Sequence, residues 1–146
     1  MNQSELSNAL VAKWGNVLDA GNHIFTWTGD GELCWLAEQA TKYGDIAEIG
    51  THFGRSAKMM LDASSLSKVL CVDPFLYDGT EKCARYFLRE EVSQGRCEIK
   101  KERAFVAAYQ FKGVRQFDMV FLDGGHEYWE VCDDIKVWLP LVRSGG

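Results

Sequence analysis

The sequence has no cluster of lysine and arginine residues interleaved with aromatic side chains, and its acidic residues outnumber its basic ones. It contains 16 Lys and Arg against 21 Asp and Glu, which gives a formal net charge of −5 at pH 7. A nucleic-acid-binding domain needs a positive surface to bind the phosphate backbone, so this composition argues against a nucleic-acid partner. We expect the ligand to be a small molecule or another protein.

The sequence also lacks paired cysteines and long apolar segments. Its five cysteines are scattered, without a C-x-x-C pair or a histidine at zinc-site spacing, so we expect buried thiols in a reducing compartment. No uninterrupted apolar stretch approaches the roughly 18 residues needed to cross a bilayer, and the N-terminal residues do not resemble a signal peptide. We therefore expect a cytoplasmic protein that binds no membrane.

What the sequence does contain is enough apolar material for one domain with a buried core. Hydrophobic residues make up 47% of the 146 positions and aromatic residues 12%, which is typical of a globular protein. Apolar residues at helical spacing predict helices over residues 4–18 and 33–40. We assign residues 1–44 to an N-terminal helical extension and residues 45–146 to the core of the domain.

From residue 45 onward, short apolar runs alternate with segments of helical spacing. Strands that are nearly all apolar and separated by helices favour parallel pairing through right-handed crossovers. The pattern predicts an α/β fold, a doubly wound parallel sheet covered by helices on both faces. The predicted strands are residues 46–49, 69–73, 97–101 and 117–122, and the predicted helices are residues 55–65, 80–93, 104–111 and 127–142. The last helix is predicted to carry one apolar face, made of Tyr128, Val131, Cys132, Ile135, Trp138, Leu139 and Val142.

The chain ends at residues 143–146, a helix terminator and turn that would lead into a fifth strand of such a sheet. Without that strand, the fourth strand is exposed along one edge, and an open edge promotes aggregation. The sequence therefore predicts a sheet that is incomplete after the fourth strand and its following helix. It also predicts that the chain is a piece of a longer protein.

Polar residues cluster at the predicted carboxyl ends of all four strands. They are residues 48–56, Asp73, Arg103 with Ala104, and residues 123–126. In an open parallel sheet, ligands bind beyond these strand ends, near the point where the strand order reverses. We expect the four groups to converge on one crevice.

Residues 46–56 predict a strand, a tight loop and the start of a helix. Gly50 and Gly54 allow close approaches that a side chain would block, and a helix start presents free N–H groups to a polar or anionic ligand. A dinucleotide-binding loop follows the pattern G-x-G-x-x-G, but His52 occupies the place of its middle glycine. Asp73 lies 23 residues beyond Gly50, where a carboxylate can accept hydrogen bonds from ribose hydroxyls. A nucleoside cofactor without phosphates fits this pattern better than a dinucleotide.

Three segments together resemble class I S-adenosylmethionine-dependent methyltransferases. They are residues 48–56, with the pattern E-x-G-x-x-x-G-x-S, residues 72–74 and residues 117–126. The pattern is similar to the subgroup that includes catechol O-methyltransferase-like and sugar- or macrolide-modifying O-methyltransferases. The resemblance implies a Rossmann-like fold, S-adenosylmethionine as the cofactor, and O-methylation of a small or sugar-like acceptor.

The resemblance also implies cofactor-binding roles for individual residues. Gly50 would pass beneath the methionine part of the cofactor, and Glu48 would help to hold its amino group directly or through water. Ser56 would donate to its carboxylate, and Asp73 would accept from the ribose hydroxyls. The other positions that the resemblance assigns to the cofactor are Thr51, Gly54, Ala104, Asp123, and Pro74 with Phe75 beside the adenine.

For catalysis, the resemblance points to the turn after the fourth strand. Asp123 would lie beside the transfer site, and in the metal-dependent branch of the family its position also binds a divalent cation such as Mg²⁺. His126 would be the general base, because an imidazole is suited to proton removal from an acceptor hydroxyl near neutral pH.

The same residues also have purely structural explanations. The two loop glycines could serve helix–strand packing alone, while Asp73 and Ser56 could cap a loop and a helix. Asp123 could open an ordinary turn, with His126 capping the next helix. The residues assigned to packing or to a solvated face are His52, Glu127, Glu130, Asp133 and Asp134.

Two other functions remain open for a sequence of this kind. One is a NAD(P)-dependent Rossmann oxidoreductase, which the missing middle glycine disfavours. The other is a non-catalytic cofactor-binding domain, which predicts binding without turnover. The sequence leaves a homo-oligomer open as well.

Overall fold

The computed structural model describes Glu5, residues 18–19, residues 22–23 and residues 28–146. Most of the helix predicted over residues 4–18 lies outside the described residues. Two short strands, Leu18–Asp19 (β1) and Asn22–His23 (β2), pair antiparallel. The helix Asp30–Ala40 (α1) follows, which confirms the helix predicted over residues 33–40.

A four-stranded parallel sheet forms the centre of the fold, as the sequence predicts. Its strands are Asp45–Ile49 (β3), Lys68–Asp73 (β4), Cys97–Lys101 (β5) and Met119–Leu122 (β6). Their order is β5-β4-β3-β6, so the strand order reverses beside β3. The last strand begins later than predicted, because Phe117 forms only an isolated parallel bridge with Val142.

Helices connect the strands on both faces of the sheet. They are Arg55–Ala63 (α2), Thr80–Phe87 (α3), Arg89–Ser93 (α4), Ala104–Phe111 (α5) and Tyr128–Trp138 (α6), followed by the 3₁₀ turn Leu139–Leu141. Within the described residues, no helix is both long and apolar enough to cross a bilayer.

Two predicted helices have the wrong extent. The segment predicted as one helix over residues 80–93 is two helices, because Leu88 leaves the helical conformation (φ −95°, ψ 6°) at a position where it is fully buried. The helix predicted over residues 127–142 ends at Trp138. Pro140 lacks the N–H that a continuing α-helix needs, so the chain tightens into the 3₁₀ turn.

The core consists of two apolar layers, one on each face of the sheet. Successive residues of a strand point to opposite faces, and β4 follows this rule: Cys71 packs with α1 and α2, whereas Leu70 packs with α5 and the end of α6. In the second layer the ring of Trp138 lies 6.1 Å from the ring of Phe117. The central strands are therefore covered on both sides, as a doubly wound sheet requires.

Most of the apolar face predicted for the last helix does not pack against the core formed by the described residues. Trp138 is buried, but Tyr128, Val131, Ile135 and Leu139 are exposed. The reason is the position of α6, which follows β6 at the edge of the described sheet. Helical spacing identified an apolar face but carried no information about what packs against it.

A buried ion pair joins α2 to the short helix α4. The Lys58 ammonium binds the carboxylate of Glu91, and it also contacts Asp62 Oδ1 at 3.0 Å. Lys58 is 8% exposed and Glu91 is 4% exposed. An isolated five-residue helix has little stability of its own, so this contact helps to fix α4 against the rest of the domain.

We expect Lys58→Met to lower the free energy of unfolding by about 3 kcal/mol, because it leaves the buried Glu91 carboxylate without its cation. Chemical denaturation followed by circular dichroism measures the change. Lys136→Met is the matched control, since the Lys136–Asp133 pair is exposed to solvent and should leave the unfolding midpoint almost unchanged. Equal effects of the two substitutions would contradict a structural role for the Lys58 pair.

Candidate functional site

A cavity of about 900 Å³ opens at the carboxyl end of the sheet. The loops after β3, β4, β5 and β6 all contribute to its wall, so the four strand ends converge as the sequence predicts. The predicted site residues that line it are Gly50, Thr51, Ser56, Asp73, Pro74, Ala104, Asp123 and His126. Three predicted residues, Glu48, Gly54 and Phe75, do not line this cavity.

Gly50 brings the loop after β3 against the loop after β6. Its φ is +96°, and a Cβ atom at this position would lie 2.3 Å from the carbonyl oxygen of Asp123. The backbone continues the sheet here, since the Asp123 N–H donates to the Ile49 carbonyl at 2.7 Å and the Gly50 N–H donates to the Val72 carbonyl at 2.9 Å. Only glycine fits this contact.

Glu48 lies beneath the same loop and is fully buried. The Ser56 hydroxyl donates to its Oε1 atom, whereas its Oε2 atom has no hydrogen-bond partner among the described residues. Burial raises the pKa of Glu48 from 4.5 to about 8, and the hydroxyl groups of Ser56 and Thr51 oppose this shift only in part. The negative charges of Asp123 and Asp73 raise the pKa further. Glu48 is thus a buried carboxyl group that holds its proton up to about pH 8, and its Oε2 atom has no hydrogen-bond partner among the described residues.

Asp73 ties two loops together at the tip of β4. Its Oδ2 accepts the backbone N–H of His52 at 2.8 Å, and its Oδ1 accepts the backbone N–H of Phe75 at 2.5 Å. His52 and Phe75 both have φ of +51°, a left-handed conformation that is uncommon outside glycine. A carboxylate oxygen can accept more than one hydrogen bond, so Asp73 can also accept from a ligand in the cavity.

The structure gives Gly54 and Phe75 a packing environment. A Cβ atom at Gly54 would lie 3.1 Å from Leu88 Cδ1 and 3.3 Å from the Cα of Ala84, so this glycine allows α2 to approach the neighbouring helix. Phe75 is 8% exposed, and its neighbour Pro74 lines the cavity in its place. For Gly54, these contacts favour the packing explanation that the sequence left open.

Asp123 and His126 follow β6 and face the cavity. Asp123 is exposed on its solvent side, but partial desolvation at the cavity wall raises its pKa; the charge of His126 opposes the shift, and the charge of Glu32 adds to it. His126 is exposed to solvent. The pair therefore offers a carboxyl group and a proton acceptor at the open side of the cavity.

Sequence reasoning missed several cavity residues. His52 was assigned to packing or solvent, but it lines the cavity and its ring packs edge-on against the rings of Phe53 and Tyr77. The acidic residues of α6 were assigned to a solvated face, but they form part of the cavity wall. The other lining residues that the sequence did not single out include Thr28, Arg55, Leu76, Tyr77, Phe105 and Trp129. For Arg55, a signal existed, because it stands inside the glycine motif.

Among the residues that the structure describes, no three His, Cys, Asp or Glu side chains are grouped so that they could hold a metal ion. The metal-binding role that the resemblance implies for Asp123 stays a prediction.

Comparison with known proteins identifies the family. A family model described as a methyltransferase domain matches residues 47–146, which include the glycine loop, Asp73 and the Asp123 turn. The chain belongs to this methyltransferase family. No curated protein sequence matches the chain.

Solved structures of methyltransferases share the fold of this methyltransferase domain. The O-methyltransferase from Bacillus cereus, in complex with SAH, aligns with a TM-score of 0.69 and 18% identity over 98% of this chain and 64% of its own. An O-methyltransferase from Streptomyces achromogenes involved in tomaymycin synthesis, in complex with SAM, aligns with a TM-score of 0.68 and 18% identity over 98% of this chain and 61% of its own. The SAH-bound methyltransferase of Podospora anserina aligns with a TM-score of 0.65 and 15% identity over 97% of this chain and 59% of its own. The chain thus spans less than two thirds of the length of these three proteins.

Glu48 predicts a pH dependence of stability. Its pKa is raised in the folded state, so between about pH 4.5 and pH 8 the folded state holds a proton that the unfolded state releases. The free energy of unfolding should therefore fall as the pH rises through this window, by up to about 1.4 kcal/mol per pH unit from this group. Glu48→Gln removes the contribution. The unfolding free energies of wild type and variant can be measured by denaturant titration from pH 5 to pH 9. As the pH rises, the wild type should lose stability relative to the variant. Parallel pH curves would contradict the assignment.

The contact at Gly50 predicts an unequal response to two glycine substitutions. Gly50→Ala should destabilise the domain by more than 2 kcal/mol, roughly the sum of a strained left-handed backbone and a collision with the Asp123 carbonyl. Gly31→Ala, in α1, meets no atom within 4 Å and should stabilise by about 0.5–1 kcal/mol. Thermal unfolding followed by circular dichroism measures both. A neutral Gly50→Ala would mean that the two loops lie farther apart.

Proposed function

We propose that the protein is an S-adenosylmethionine-dependent O-methyltransferase that acts on a small or sugar-like molecule with a hydroxyl group. Membership in the methyltransferase family and the fold shared with SAM- and SAH-bound O-methyltransferases support the reaction class. The observation that carries the choice of cofactor is the placement of two carboxyl groups, Glu48 beneath the glycine loop and Asp73 at the next strand tip.

The residues fit S-adenosylmethionine on the chemistry of their donors and acceptors. Glu48 does not line the cavity, but its Oε2 atom is buried without a hydrogen-bond partner among the described residues. The cofactor's ammonium group could donate to this atom, directly or through a water molecule, once the carboxyl group has lost its proton. Burying an unpaired acceptor costs free energy, and such a donor would remove that cost. Asp73 would accept from the ribose hydroxyls, while Pro74 and Ala104 line the adjoining wall, where the adenine would lie.

The cofactor, when bound, supplies an activated methyl group for an in-line displacement, so the protein mainly has to align two molecules and exclude water. His126 would accept the proton of the acceptor hydroxyl at its imidazole, and its exposure lets that proton pass to solvent. Asp123 would orient the groups beside it. The aromatic side chains of Tyr77 and Trp129, which line the cavity, would cover an acceptor and shield it from water.

The cofactor assignment predicts tight binding of S-adenosylhomocysteine (SAH) that depends on Asp73. Isothermal titration calorimetry should show SAH binding to the wild type, and Asp73→Ala should weaken it by about 10- to 100-fold, because charge-assisted hydrogen bonds to the ribose are lost. Asp78→Ala is the matched control, since Asp78 is an exposed acid in the same loop that does not line the cavity; its SAH affinity should match that of the wild type.

Two further measurements separate the alternatives. Binding of NADH without binding of SAH would contradict the proposal and favour an oxidoreductase. If the protein binds SAH but forms none from S-adenosylmethionine with any of a panel of phenol, catechol and sugar acceptors, the result would favour a non-catalytic cofactor-binding domain.

A further inference from the structure

One wall of the cavity is acidic and belongs to a single helix. Acidic residues of α6 and of its N-cap line the cavity there, and they are Glu127, Glu130, Asp133 and Asp134. The arginine and lysine residues in the described lining are Arg55 and Arg103, at the starts of α2 and α5. A ligand group beside α6 therefore meets negative charge that no cation of the described lining balances.

These acids differ in what they contact. Glu130 Oε2 accepts the backbone N–H of Glu127 at 3.3 Å, and Asp133 Oδ1 lies 2.9 Å from the Lys136 ammonium. Glu127 is exposed to solvent. Asp134 is partly buried, yet its carboxylate forms no hydrogen bond or ion pair within the described part of the chain. Asp134 is therefore the acid of this wall that can bind a ligand cation without giving up another contact.

The surroundings of Asp134 disfavour its negative charge. Glu130 lies four residues before it, on the same side of the helix, and Asp133 precedes it directly. Burial raises the pKa of Asp134, and the negative charges of Glu130 and Asp133 raise it further. A cation bound beside this carboxylate would offset both effects.

An exposed aromatic ring lies on the same helix. Trp129 lines the cavity and is 62% exposed. The face of an indole ring attracts an ammonium group more strongly than the other aromatic side chains do. A metal ion would instead need several ligands, and the described residues contain no group of three that could hold one. The wall therefore favours an organic ammonium group.

The position of α6 assigns this wall to the acceptor rather than to the cofactor. Gly50 and Asp73, which are proposed to bind the cofactor, lie at the ends of the central strands β3 and β4. Asp123 and His126 follow β6 at the edge of the described sheet, and α6 begins directly after them. An acceptor whose hydroxyl lies beside His126 can extend along α6.

We propose that the acceptor carries a protonated amine, which Asp134 and the face of Trp129 bind while the acceptor hydroxyl lies beside His126. This inference rests on the proposed function and names the acceptor class, a hydroxylated amine that is either aromatic or sugar-like. Acceptors with a carboxylate or a phosphate group are disfavoured, because the same acids repel them.

The test compares acceptors that share a scaffold and differ in charge. Dopamine, ethylcatechol and dihydrocaffeate are a cation, a neutral molecule and an anion near neutral pH, and glucosamine with glucose forms a sugar pair. Each compound is titrated by calorimetry into the protein saturated with SAH. We expect each amine to bind about 5- to 10-fold more tightly than its neutral counterpart, and dihydrocaffeate to bind more weakly than ethylcatechol.

Asp134→Asn removes the charge and keeps the shape of the side chain. It should weaken binding of the amines by about 3- to 10-fold and change binding of the neutral compounds by less than about twofold. Asp78→Asn is the matched control, because it removes the same charge from an exposed residue that does not line the cavity. It should leave all of these affinities unchanged. Circular dichroism spectra of both variants report whether the fold is intact.

The outcomes separate this inference from the proposed function. If the SAH-saturated protein binds the amines no more tightly than their neutral counterparts, or binds none of these compounds, the inference is wrong while the proposed function stands. An unchanged preference for amines in Asp134→Asn also contradicts it. If the unaltered protein binds no SAH, the proposed function fails, and this inference fails with it.

Discussion

The contact between the backbone of Gly50 and the carbonyl of Asp123 sets the geometry of the cavity. It joins the ends of β3 and β6, the two neighbouring strands at which the strand order reverses. With the loops so close, Glu48 is sealed below them and loses contact with water. Its raised pKa follows from that burial. A bulkier residue at position 50 would separate the loops, so the close approach, the buried carboxyl group and the cavity depend on one another.

The electrostatics of the cavity suit a ligand with a net positive charge. Acidic side chains from the loops and from α6 outnumber the two arginines of the described lining. Partial desolvation raises the pKa of Asp123 and of Asp134, and the neighbouring charges of Glu130 and Asp133 raise that of Asp134 further. S-adenosylmethionine carries a sulfonium and an ammonium group against one carboxylate. The positive groups fit the acidic wall, and the single negative group is the part that needs a cation. The same wall would disfavour a dinucleotide, whose pyrophosphate adds two negative charges.

Much of the fold could be predicted because most of the strands are short apolar runs between helical segments, while β5 alternates apolar and polar residues from Cys97 to Lys100. Asp73 could be placed at the cavity for the same reason, since the carboxyl ends of parallel strands lie together. The bond between Ser56 and Glu48 could not, because it joins residues across a loop whose path depends on Gly50. The interruption of the helix at Leu88 could not be predicted either, since the residues on both sides of it favour helix. In α6, periodicity located an apolar face, but burial depends on a neighbour that periodicity does not describe.

Asp73 shows how the chain prepares this site with its own backbone. A left-handed conformation at a non-glycine residue costs about 1–3 kcal/mol, and both His52 and Phe75 adopt one. Each of their N–H groups donates to an oxygen of the Asp73 carboxylate, which offsets that cost and holds both loops in place. The same carboxylate faces the cavity. A ligand that binds there meets loops that are already ordered, so less of its binding free energy is lost in ordering them.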